Sequence, residues 1–139
     1  MISGYPIKLD KKQIANTAKQ YKIDLTFSPP THWGKYIIDI NGTQNIKNKF
    51  RRCRFANTCI ALEDGKLFTC ARIPNIKYFN RYFNENLKVT ESDYIDIYKA
   101  RDMHEIFSFL SSPPPFCRYC PGEVSSEWGI SKKEITEWT

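Results

Sequence analysis

The 139-residue chain lacks any long apolar run, and its mean hydropathy is −0.53, so no segment reads as a membrane span. Its opening, Met-Ile-Ser-Gly-Tyr-Pro-Ile, has no basic region followed by an apolar stretch and so does not read as a signal peptide. No internal repeat is present, which excludes solenoid architectures. Histidine is scarce, with only His32 and His104, and neither lies beside a cysteine in sequence. Both read more readily as packing or solvent-facing residues than as ligands. The five cysteines are an odd number, which disfavours a closed disulfide framework. The expected address is the cytoplasm, where thiols stay reduced. Metal ligation is then the better use for them.

What is present fits one small domain, or the tail of a larger protein. Hydrophobic residues make up 41% and aromatic residues 14%, enough for a packed core. The net charge of +6 is uneven. Residues 45–82 carry nine Lys and Arg against Glu63 and Asp64, so this segment alone is +7. It also holds Cys53, Cys59 and Cys70. Nearby cations favour thiolates by lowering their pKa. A solvated basic face or a patch for an anionic partner would have the same composition. Nucleic acid is the least favoured partner, because no recognised nucleic-acid motif accompanies the charge.

The expected fold class is α+β. Residues 2–9 read as a strand, and 23–27 alternate like a second one. Between them, Asp10 and Gln13 have capping-box spacing ahead of a helix over about 11–22, with Ile14, Ala15, Ala18 and Tyr21 on one face. This β-α-β order predicts parallel pairing. Residues 36–40 read as a strand ending at the Asn41-Gly42 turn, which also explains the sequon-like Asn41-Gly-Thr43. Residues 59–63 and 66–70 flank Asp64-Gly65 as a β-hairpin, with Cys59 and Cys70 at its open end. Helices are expected over 75–84 and after Asp102, a strand over 93–98, and a last capped turn at Ser131/Glu134 leading to Ile135 and Trp138. Pro113-Pro-Pro115 stops the Asp102 helix and delivers Cys117.

Cys117-Arg-Tyr-Cys120 is a Cys-x-x-Cys turn, which lets two sulfurs reach one metal centre. Pro121-Gly122 follows it and favours a turn over the helix start that a thioredoxin-like site needs. Zinc and [4Fe–4S] clusters both accept four cysteines. A zinc ribbon would be expected to carry two such knuckles, and only one is present.

At this point the residues resemble the C-terminal half of a radical S-adenosylmethionine (radical SAM) protein, over almost the whole chain. Ile2-Ser-Gly-Tyr-Pro-Ile7 is similar to a late strand of that superfamily's partial (β/α) barrel. Cys53, eleven residues, Gly65, four residues and Cys70 match the Cys-x(9–15)-Gly-x4-Cys opening of SPASM and twitch auxiliary-cluster domains, and Cys117 to Cys120 matches their later Cys-x-x-Cys. The resemblance implies a barrel remnant over 1–45 and a shortened SPASM/twitch-like domain over 46–139. It implies one auxiliary [4Fe–4S] cluster on Cys53, Cys70, Cys117 and Cys120, with Cys59 a spare or a substitute for Cys53. No cysteine follows Cys120, so a second auxiliary cluster is not supported. The Cys-x3-Cys-x2-Cys motif that holds the SAM-cleaving cluster is absent. The expectation is therefore a fragment, a truncated frame or a split subunit that generates no radical alone. S-adenosylmethionine would belong only to a full-length enzyme. The expected partner is the missing N-terminal half or a second copy of the chain, covering residues 2–9. The alternative is a structural zinc-binding interaction domain. A thiol redox protein using Cys117 and Cys120 ranks behind both.

Overall fold

In a computed structural model of the chain, the structure describes residues 2–3, 9–28, 33–56, 58–126 and 131–139. It is a mixed α+β protein of short elements. They are β1 (Ile2–Ser3), α1 (Lys11–Gln20), β2 (Phe27–Ser28), β3 (Trp33–Ile37), α2 (Ile46–Arg52), β4 (Ala61–Glu63), β5 (Lys66–Phe68), α3 (Arg72–Phe83), β6 (Ile95–Asp96), α4 (Met103–Leu110) and β7 (Gly122–Ser126). Three 3₁₀ turns, Glu91–Asp93, Pro115–Tyr119 and Ile135–Glu137, complete the series. No helix among the described residues is long and apolar enough to cross a membrane.

Two compact units are distinguished: Met1–Lys35 with Val124–Lys132, and Tyr36–Glu123 with Lys133–Thr139. In the first, β1 and β2 pair in parallel, Ile2 opposite Phe27 and Ser3 opposite Ser28. That is the pairing the β-α-β order predicts. Asp10 caps α1 by accepting a hydrogen bond of 2.8 Å from the Gln13 N–H, as the spacing indicates. The strand expected over 23–27 is confined to its last residue and Ser28, because the chain leaves α1 through Lys22 at φ +55° and the Ile23 N–H turns back to the Ala18 carbonyl. Most of the strand expected over 2–9 lies outside the described residues, as does His32.

The second unit is built on a hairpin. Strands β4 and β5 pair antiparallel with Leu62 opposite Leu67 and Glu63 opposite Lys66. Asp64 and Gly65 both take positive φ, +49° and +75°, the pattern of a tight type I′ turn. Strand β6 adds antiparallel to β5, with Leu67 opposite Ile95. Only two of the six residues expected as a strand over 93–98 take part. Asp93 is drawn into a 3₁₀ turn whose capping box it closes with Thr90, and the chain turns again after Asp96, whose carbonyl accepts from the Lys99 and Ala100 N–H groups. Likewise β3 ends at Ile37, short of the expected Ile40, because Ile38 and Asp39 leave the ladder to bond the Trp138 and Tyr119 carbonyls. Helix α3 starts three residues before the expected 75, and α4 begins at its Asp102 cap, which accepts from the Glu105 N–H. The last segment is a single 3₁₀ turn, Ile135–Glu137, which starts after Glu134 without the side-chain cap expected there.

The core of this unit joins Ile38, Phe68, Ile73, Ile76, Leu87, Phe116 and Tyr119, with Ala61, Cys70, Phe79 and Tyr94 packed against it. Burying a side chain such as Ile73, which is 2% exposed, contributes about 1.5–3 kcal/mol.

Candidate metal centre

Cys53, Cys70, Cys117 and Cys120 come from three stretches of chain. Cys53 closes α2, its N–H bonded to the Phe50 carbonyl at 3.1 Å. The helix starts at Asn45, whose side chain accepts from the Asn48 N–H, and Lys49 donates from Nζ to the Pro121 carbonyl, just beyond Cys120. That bond ties the helix ending in Cys53 to the segment carrying the Cys-x-x-Cys.

Cys70 lies where the hairpin gives way to α3. The Ala71 N–H bonds the Cys59 carbonyl at 2.9 Å, so the two hairpin arms do stay together to their open ends, as expected. Their thiols differ in setting. Cys59 is exposed, whereas Cys70 is half-buried against the core.

Cys117 and Cys120 sit on the 3₁₀ turn Pro115–Tyr119 and its end, and the Cys120 N–H bonds the Cys117 carbonyl at 3.1 Å. This is the tight turn that Pro121-Gly122 predicts. It is held from two sides. The Asp39 and Gln44 N–H groups bond the Tyr119 and Arg118 carbonyls, at 2.9 and 3.1 Å. On the other side, fully buried Asp93 accepts from the Phe116 N–H at 2.6 Å, while its second oxygen takes the Thr90 N–H and hydroxyl.

The electrostatics show which thiols are neighbours. Burial pushes the Cys70 thiol up, the backbone N–H and charge of Arg72 oppose that, and Cys53 and Cys120 add to the rise. Cys117 is pushed up to about 12, first by burial and then by Cys120, Cys53, Cys70 and Asp93. Cys53 and Cys120 thus act on Cys70, and all three act on Cys117, while Cys59 is exposed. Thiolates gathered in a part-buried place repel one another, so they ionise together only with a cationic centre among them. A nucleophilic thiol needs the opposite shift, which argues against the thiol redox reading. All five cysteines are free thiols. Among the described residues, no three His, Cys, Asp or Glu side chains are arranged to hold a single metal ion. His104 is exposed in the first turn of α4.

Sequence reasoning missed two residues here. Asp93 was legible in principle, since Thr90-Glu-Ser-Asp93 has capping-box spacing. Arg72 carries no such signal. Its Nη1 donates to the Cys120 sulfur at 3.4 Å and to the Ile37 carbonyl at 3.3 Å, and its guanidinium lies 5.0 Å from the centre of the Tyr36 ring.

A groove of about 450 Å³ opens elsewhere in the unit, between Lys66, Phe68, Ile73, Ile76, Val89 and Tyr94; no cysteine lines it. The chain matches no protein-family profile, no curated protein and no solved structure.

Proposed function

We propose that this chain is an auxiliary iron–sulfur module of the radical SAM type, holding one [4Fe–4S] cluster on Cys53, Cys70, Cys117 and Cys120. The observation that carries the reading is selective convergence. The four thiols that fit the SPASM/twitch spacing are part-buried on three stretches of chain tied by Lys49 to Pro121 and by Arg72 to Cys120, and the fifth, Cys59, is exposed. Four cysteine sulfurs are a complete ligand set for such a cluster, and the part-buried, Arg-flanked setting suits an anionic centre. When bound, the cluster supplies one-electron transfer. The chain's own groups would hold the thiolates in place: the 3₁₀ turn spaces Cys117 and Cys120, and Arg72 donates to Cys120.

On this reading, residues 1–45 are the remnant of a partial (β/α) barrel and 46–139 a shortened SPASM/twitch-like domain. The parallel β1–β2 pair bridged by α1 is the kind of unit a (β/α) barrel repeats. The sequence holds no Cys-x3-Cys-x2-Cys motif, so cleavage of S-adenosylmethionine falls to another polypeptide or segment, and this module serves it as a partner.

The test is metal analysis of protein purified anaerobically. Wild type and Cys59→Ser are expected to hold about four iron and about four acid-labile sulfide per chain, the content of one [4Fe–4S] cluster, and Cys70→Ser to lose both. One zinc with no sulfide would instead establish a structural zinc domain on the same thiols. Loss of metal in Cys59→Ser would overturn the ligand assignment.

A further inference from the structure

Arg72 reaches the thiol group by two different routes. Its backbone N–H, at the start of α3, lies beside Cys70 and opposes the rise of that thiol. Its side chain folds back so that Nη1 sits 3.4 Å from the Cys120 sulfur. The guanidinium is not free to swing away. The same Nη1 bonds the Ile37 carbonyl at 3.3 Å, and the Tyr36 ring packs 5.0 Å away. Tyr36 is itself fixed, because its hydroxyl donates to Glu123 Oε2 at 2.7 Å and its ring meets Phe55 edge-on at 4.8 Å. Glu123 in turn lies 3.6 Å from Arg54, the residue after Cys53. A continuous chain of contacts thus runs from beside Cys53, through Glu123 and Tyr36, to Arg72, beside Cys70, and to the Cys120 sulfur.

A planar, permanently charged donor suits this place better than a lysine, which could not lie flat on the ring while bonding both acceptors. Hydrogen bonds and positive charge at ligand sulfurs stabilise the more negative, reduced state of an iron–sulfur centre, and so raise its reduction potential.

We infer that Arg72 is the positioning residue of this centre, fixing the Cys70 and Cys120 sulfurs together and setting the reduction potential of the group they hold. The inference rests on the cluster reading above. Its consequence is specific: the effect of Arg72 falls on the potential at full metal content, which a purely structural residue would not move.

The experiment is a dye-mediated redox titration, followed by electron paramagnetic resonance, on anaerobically loaded wild type, Arg72→Gln and Arg72→Lys, each assayed for iron and sulfide. Arg72→Gln is expected to lose about tenfold in the ratio of reduced to oxidised cluster at a fixed potential, a fall of about 59 mV for one electron. Arg72→Lys keeps the charge and loses the fork, and is expected to fall part of the way. If the Gln variant fails to load, the Lys variant decides. An unchanged potential in either fully loaded variant overturns the inference and leaves the cluster reading standing. A wild type without sulfide overturns the cluster reading itself, and the role of Arg72 with it.

Discussion

At the scale of single residues, two aspartates hold the Cys117–Cys120 turn from either side. Asp93 is 0% exposed and spends both oxygens on backbone and hydroxyl donors, so the Cys-x-x-Cys segment is anchored from beneath. Asp39 works from the surface. It gathers the Asn41 and Thr43 N–H groups, the Thr43 hydroxyl and the Gln44 amide, while its own N–H holds the Tyr119 carbonyl. The Thr43 hydroxyl and the Gln44 amide are the main causes that lower its pKa to about 2 from 3.8. A depressed carboxylate pKa stabilises the fold above the unfolded value, and that share is lost as pH falls through the folded value. The stability advantage of wild type over Asp39→Asn should thus be constant above about pH 4 and shrink between pH 4 and pH 2. Urea midpoints of the two proteins across that range check it; a difference that does not change with pH would mean the carboxylate charge contributes nothing.

Among the elements, the hairpin shows how far a local signal carries. Asp64-Gly65 between two apolar runs is read directly from sequence because the turn must take positive φ at both positions, and few residue pairs do so cheaply. The parallel β1–β2 pair and the capped starts of α1 and α4 were legible for similar local reasons. The strand over 93–98 was not, because alternation in Asp-Tyr-Ile-Asp-Ile-Tyr says nothing of a buried acceptor being needed 23 residues away at Phe116. The four-thiol set is an expectation from the resemblance, and Arg72 had no sequence signal at all, since its partners Ile37 and Cys120 are 35 and 48 residues distant. Gly65 offers a test at this scale. A Cβ there would come within 2.4 Å of the Tyr98 ring, which is 84% exposed and can swing aside, so the lasting cost is the positive φ. Gly65→Ala should therefore destabilise the loaded protein by about 1–2 kcal/mol, and Gly65→Asn by less, because asparagine tolerates the left-handed region. Equal denaturation midpoints for the Ala and Asn variants would show that the ring contact, not the backbone, governs the turn.

For the molecule as a whole, the question is what holds so many short elements in one arrangement. The buried apolar set of the second unit is small: Ile38, Phe68, Ile73, Ile76, Leu87, Phe116 and Tyr119 form its centre. Small cores leave small margins, and domains of this kind often draw on a metal for the rest. The thiol group is placed to do so. A centre bound there would link the end of α2, the start of α3 and the turn after Pro115, segments that are otherwise tied by bonds such as Lys49 to Pro121. Without a cationic centre the thiols gain nothing from proximity: burial first, and then the neighbouring thiols, push Cys117 up to about 12. A ligand that binds only the folded chain adds its binding free energy to stability. Stripping the centre with a chelator under anaerobic conditions should therefore lower the thermal midpoint by several degrees or more, since about 1 kcal/mol moves a domain of this size by about 2–8 °C. The Cys59→Ser protein should show the same drop, and Cys70→Ser should start at the stripped value and not respond to chelator. If wild type melts at one temperature with and without its centre, the four cysteines do not hold this fold together, and the core alone accounts for its stability.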